Sequence, residues 1–181
     1  PFTAPTFYNP KVPTVATIYD LQYKTFPQFF LAQDVAQRDR TFREACQKAT
    51  MLTAISNYSR DTAIVHGAVP NRIRTIYLPK PGSGPIANVD LQVKRYFLYP
   101  ANFWKHKNHE MLLTAFGMAC ARGLDSDIKL VLTGSPGDRR NELIRAVDHL
   151  GLSERVVFAG YLDNFQFSGL LFNSLALIFP S

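Results

Sequence analysis

Apolar positions in this chain fall into two recurring patterns. Short continuous runs alternate with stripes at helical spacing, as expected of strands buried on both faces between amphipathic helices. Residues 12–18 (VPTVATI) predict a strand and 34–49 a helix, with Val35, Phe42, Ala45, Cys46 and Ala49 on its apolar face. A short buried strand follows at 51–55. Ser56 or Asn57 is placed to cap a helix over 58–66 that Gly67 ends, and 73–78 predicts another strand. A second series predicts strands at 96–100, 128–133, 156–161 and 175–179, with helices at 108–121, 138–150 and 165–173. The first of these helices carries Met111, Leu112, Ala115, Phe116 and Ala119 at helical spacing, with Asn108 as its cap and Glu110 at its positive end. The second carries Leu143, Ile144, Val147 and Leu150, with Gly151 at C′.

Strands alternating with helices of this length predict an α/β fold with doubly wound parallel sheets. Between the two series lies PKPGSGP at 79–85, a linker by composition. The expected organisation is a first domain over 1–79, a linker over 80–92 and a second domain over 93–181.

Composition narrows the class. The 181 residues are 46% hydrophobic and 19% charged, as in a globular protein able to bury a core. No apolar run reaches the roughly 18 residues needed to span a bilayer. The two cysteines, Cys46 and Cys120, fall on apolar helix faces and read as core side chains, which suits a reducing compartment. A net charge of +6 suits an anionic ligand, an acidic lipid surface or nucleic acid. The basic residues are dispersed, with no zinc spacing, RNA-binding aromatic signature or long basic tract, so no nucleic-acid partner is expected. His66, His106, His109 and His149 have no metal-ligand spacing, and neither a P-loop nor GxGxxG occurs.

The densest cationic cluster is Lys105, His106 and Lys107, between the strand at 96–100 and the helix that follows. Cationic side chains beside free N–H groups at a helix N-terminus suit an anion, and in a parallel sheet ligands bind at strand carboxyl ends. A solvated basic loop is the competing reading. Gly134 follows the strand KLVLT, where a missing Cβ permits close backbone approach to a ligand or an ordinary turn. Gly160, Tyr161 and Leu162 follow the next strand, where Tyr161 is placed to stack on a ligand or to pack in the core. Arg139 and Arg140 read as a solvated helix face. Asp20 lies at the end of the first strand beside Tyr19, as a functional carboxylate or a turn cap.

The ordered segments resemble retaining glycosyltransferases of the GT-B fold, the group 1 or family 4 type. IYDLQYKTFPQFF, ISNYSRD and VPNRIRTIYLP are similar to the end of that family's acceptor domain; YPANFWKHKNH followed by MLLTAF, LVLTG, LGLSERVVFAGYL and ALIFPS are similar to the first half of its donor domain. The resemblance implies two Rossmann-like doubly wound domains, both incomplete in this chain, and an inactive fragment as it stands. It implies a hexosyl-type transfer from a nucleotide-sugar to a glycan or lipid-linked acceptor, in cell-envelope or polysaccharide biosynthesis. It gives Lys107, helped by Lys105 and Asn102, the donor diphosphate, and Gly134, Gly160, Tyr161 and Leu162 the nucleotide. Tyr19 and Asp20 become candidate catalytic residues, although Tyr19 stands where the family usually has histidine. Asn102 stands where many relatives carry arginine. The donor is a UDP-, GDP- or ADP-sugar, with no obligatory cofactor or metal. The location implied is cytoplasmic, with peripheral contact at the inner face of the membrane left open. A non-catalytic nucleotide- or protein-binding module of the same fold is the alternative.

Overall fold

The computed structural model describes residues 11–79 and 93–180. The linker expected at 80–92 lies outside the described residues. The chain divides into two compact units, Pro1–Pro81 and Gly82–Ser181.

The first unit has a three-stranded parallel sheet in the order β1-β2-β3, formed by Val15–Ile18, Met51–Ala54 and Ile73–Thr75. Its helices are α1 (Gln22–Thr25), α2 (Ala32–Lys48) and α3 (Asn57–Val65). Ala16, Ile18, Leu52, Ala54 and Ile73 of the strands pack with Phe42 and Ala45 of α2 and Ala63 of α3. The α2 face matches the expected stripe, with Val35 and Cys46 partly buried at its margin. Ser56 is the α3 cap: its Oγ accepts the Ser59 N–H at 3.0 Å. β1 is shorter than the apolar run at 12–18. Pro13 has no N–H for a ladder, and regular pairing starts at Val15 opposite Met51.

The second unit has a four-stranded parallel sheet in the order β6-β5-β4-β7. The strands are β4 (Arg95–Pro100), β5 (Ile128–Thr133), β6 (Val156–Gly160) and β7 (Ala176–Leu177), with α4 (His109–Ala121), α5 (Asp138–His149) and α6 (Asn164–Asn173) between them. Both faces are covered, so alternate residues serve different cores. Tyr99, Leu130 and Leu132 pack with Leu112, Leu113 and Phe116 of α4 and Leu143 and Val147 of α5. Tyr96, Leu98 and Val131 face the other way, onto Leu170 of α6. The chain runs outward from β4 through β5 to β6 and returns to the other side of β4 as β7. The sheet order therefore reverses at β4, the kind of place where doubly wound folds bind ligands.

Three expectations are corrected. The buried face of α4 is rotated from the expected stripe: Leu112 and Phe116 are buried as expected, but Met111 and Ala115 are exposed and His109 and Leu113 are buried. Leu150 lies beyond the last turn of α5 and is exposed. Asn108 does not cap α4 with its side chain. Its backbone is left-handed (φ 54°), a conformation asparagine tolerates, and its Nδ2 donates instead to the Pro180 carbonyl at 3.4 Å.

Candidate donor-binding site

The carboxyl ends of β4, β5 and β6 surround an open cleft of about 230 Å³. Asn102, Gly134, Gly160, Tyr161 and Leu162, all singled out in the sequence, line it together. Pro100, Ala101, Thr133, Asn164 and Phe167 complete the lining. The volume is below the roughly 300–1,000 Å³ of typical small-molecule sites. It suits one part of a larger ligand rather than the whole of it.

The floor is built from backbone. Gly134 N–H donates to the Gly160 carbonyl at 2.9 Å, and Ala101 N–H to the Thr133 carbonyl at 3.3 Å. A Cβ at Gly134 would lie 2.7 Å from Ala101 O and 3.1 Å from Asn102 Cα. The glycine is thus needed for the β5 end to pack against the segment leaving β4, and the close approach is to protein backbone. Asn102 ties these loops further: its Oδ1 accepts the Ser135 N–H at 2.9 Å. That bond commits the oxygen and leaves Nδ2 as the donor, with no protein acceptor among the described residues. At Gly160 the reason for glycine is different. Its φ is 76°, and a Cβ there would meet nothing within 4 Å, so only the backbone conformation excludes other residues.

The rim is aromatic. Tyr161 is 75% exposed, which removes the core-packing reading and leaves a ring free to stack. Leu162 is half-buried, packed against the Tyr96–Leu98–Val131 core. Asp163 caps α6 by accepting the N–H groups of Phe165 and Gln166, while the Gln166 side chain accepts the Asp163 N–H. This reciprocal cap fixes where the β6 segment turns into helix.

Lys105 and Lys107 are on a single 3₁₀ turn (Lys105–Lys107) that leads into α4, outside the cleft lining. Lys105 is exposed and Lys107 half-buried, and among the described residues neither ammonium has a hydrogen-bond or ion-pair partner. Arg139 and Arg140 are not a solvated face. Arg139 pairs with Glu110 of α4 and with Glu142, and the Arg140 guanidinium lies 5.6 Å from the Phe158 ring centre. In the first unit, Tyr19 and Asp20 follow β1. Tyr19 is exposed; Asp20 Oδ1 accepts the Gln22 N–H at 3.0 Å, the bond expected of a turn cap. Among the described residues no cluster of three or more His, Cys, Asp or Glu side chains could hold a metal ion, and no helix is long and apolar enough to cross a membrane.

Residues 89–181 match the family described as Glycosyl transferases group 1. The chain belongs to that family. The second unit of this group 1 glycosyltransferase chain is therefore the part that carries the family pattern. Among solved structures, the chain is similar to Anabaena Alr3699/HepE in complex with UDP-glucose, with a TM-score of 0.69 and 17% identity over 94% of this chain and 47% of that one. It is also similar to sucrose-phosphate synthase from Thermosynechococcus elongatus, with a TM-score of 0.66 and 19% identity over 92% and 44%. The lipopolysaccharide outer core galactosyltransferase WaaB, in its apo form, gives a TM-score of 0.55 and 20% identity over 76% and 38%. At these identities the likeness is one of fold, and the fold is GT-B. The chain spans about half the length of the first of these structures. No curated protein sequence matches it.

Two features of the cleft and its surroundings are not evident from the sequence. Thr133, Asn164 and Phe167 line the cleft. Thr133 adjoins Gly134, whereas Asn164 and Phe167 lie two and five residues after Leu162, on the first two turns of α6, where the sequence offers no signal. Tyr99 donates its hydroxyl to the Lys107 carbonyl and packs on His109, and nothing in their spacing separates them from ordinary core residues.

Proposed function

We propose that this chain contributes the nucleotide side of a glycosyltransferase donor site. The observation that carries the reading is the convergence of Asn102, Gly134, Gly160, Tyr161 and Leu162 on one cleft at the carboxyl ends of β4–β6, in the unit that matches the family. In this reading Tyr161 and the Gly160–Leu162 backbone meet the base and ribose. Asn102 Nδ2 and the ammonium groups of Lys107 and Lys105 meet the diphosphate. UDP and UDP-glucose occupy the fold-related Anabaena structures, which favours a uridine donor over GDP- or ADP-sugars.

The chemistry follows from charge. As the bond from sugar to diphosphate breaks, negative charge builds on the leaving phosphate. A lysine without a protein partner stabilises that charge more than the intact donor's. Tyr19 and Asp20 belong to the acceptor side. The exposed Tyr19 hydroxyl donates a hydrogen bond to the acceptor, and Asp20 shapes the turn that presents it. Tyrosine's ordinary pKa near 10 makes it a poor base at neutral pH. The whole protein transfers a hexosyl group to a glycan or lipid-linked acceptor, in cell-envelope or polysaccharide synthesis on the cytoplasmic side, without an obligatory metal.

Ligand-observed NMR of the chain with UDP, GDP, ADP and their glucose conjugates tests the donor reading. One nucleotide is expected to bind selectively, with affinity lost about tenfold or more in Lys107→Ala, the scale of a charge-assisted hydrogen bond. Equal binding by Lys107→Ala would remove the lysine from the site.

A further inference from the structure

The loop over residues 101–107 carries both proposed diphosphate donors, Asn102 and Lys107, and two buried polar side chains lie against it. Tyr99, fully buried in β4, donates its phenolic O–H to the Lys107 carbonyl at 2.7 Å. His109, the first residue of α4 and 1% exposed, is buried beside the start of the loop, where the Ala101 carbonyl partly offsets the lowering of its pKa. Its Nε2 has no partner among the described residues. The two side chains also touch each other: the rings of Tyr99 and His109 are 4.9 Å apart, and Phe103 packs on His109 at 5.2 Å.

An aromatic cluster needs neither of these polar groups to fill its space. Phenylalanine at 99 would fill the same volume, and leucine at 109 would bury without leaving a ring nitrogen orphaned. An unpartnered buried polar atom costs stability. Both side chains serve the same short segment, Tyr99 by a hydrogen bond to its last carbonyl and His109 by packing against Phe103 within it. Gly134, packed against Ala101 O, and Asn102, bonded to Ser135 N–H, brace its first half from the β5 side.

We propose that Tyr99 and His109 are positioning residues that clamp the 101–107 loop, so that Asn102 and Lys107 meet the ligand's diphosphate in a preset geometry. The inference rests on the donor-site reading above. A lysine on a loose loop gives up part of its interaction energy to ordering, whereas a clamped loop has met that cost on folding. The clamp therefore acts on phosphate recognition and leaves recognition of the base to Tyr161 and its neighbours, which belong to another loop.

The test compares wild type with Tyr99→Phe, His109→Leu and His109→Asn, the last placing an amide N–H close to the position of Nδ1. Two quantities are read: amide hydrogen exchange across 101–107, and affinity for whichever of UDP, GDP or ADP binds best against that for its parent nucleoside. Tyr99→Phe and His109→Leu are expected to speed loop exchange and weaken the diphosphate about five- to tenfold, the worth of one hydrogen bond, with nucleoside affinity unchanged. His109→Asn is expected to restore most of both. Unchanged loop exchange, or diphosphate and nucleoside affinities falling in parallel, would overturn the clamp. Wild type that binds none of the nucleotides would instead overturn the donor-site reading, and the exchange data would then judge the clamp alone.

Discussion

Gly134 shows how a residue can be recognised for one reason and required for another. The sequence marks it as a strand-end glycine suited to close approach; the structure shows that the partner is the Ala101 carbonyl, with room for no Cβ. Gly134→Ala must shift backbone on one side or the other. A loss of about 1–3 kcal/mol is expected in a denaturant melt, the usual cost of overpacking; a change within experimental error would mean the loops are looser than described. His109 offers a second residue-scale test. Burial pushes its pKa down to about 4 from an ordinary value near 6.5, while the backbone at Ala101 opposes the shift and the nearby Arg139 and Lys107 charges add to it. Above pH 6.5 the imidazole is neutral whether folded or unfolded. Between about 6.5 and 4 the unfolded chain takes up the proton first, so stability falls with pH, by up to about 3 kcal/mol once the lower value is passed. Melts of wild type and His109→Asn between pH 7 and 4 check this, since the variant should lack that part of the slope. Neither property was legible from the sequence. Asn108, His109 and Gly134 all stand where local pattern is satisfied, and only the partners reached across the sheet reveal what each does.

At the scale of elements the sequence was informative wherever one residue pattern had one physical solution. Tyr96–Leu98 and Leu130–Leu132 alternate between two buried faces, so continuous apolar runs correctly predicted strands in a covered parallel sheet. The expected α4 stripe is only partly the buried face: Leu112 and Phe116 are buried while Met111 and Ala115 are exposed, because the helix is apolar nearly all round and its spacing admits more than one stripe. The short α1 and the 3₁₀ turns at Pro27–Phe29, Pro70–Arg72 and Lys105–Lys107 went unread; segments of three or four residues carry no period. The Lys105–Lys107 turn matters most, since it sets how the two lysines leave the loop. The α6 cap is the element on which the cleft wall most directly depends. Asp163→Ala removes the acceptor for two N–H groups and should cost about 1 kcal/mol of stability, whereas Asp163→Asn should keep most of it. Equal losses in a thermal melt would show that the carboxylate's charge, rather than the cap geometry, is what α6 needs.

At the scale of the molecule, the chain is two parallel α/β units, one of which carries the group 1 glycosyltransferase pattern and the cleft. The net charge of +6 is a property of this whole, and it admits a simpler account in which any polyanion binds. The two accounts differ in salt response. A nucleoside diphosphate meeting a few fixed donors should lose affinity modestly between 50 and 200 mM salt, whereas generic polyanion binding through many contacts falls about a thousandfold or more. The measurement that tests the central claim most directly is a titration of the isotopically labelled chain with the best-binding nucleotide, followed through its backbone amide resonances. If the cleft is the donor site, the shifts will concentrate at residues 101–107, 133–135 and 160–164, with Gly134, Ser135 and Tyr161 among the largest. Shifts concentrated elsewhere in the chain, with those three segments unmoved, would contradict it.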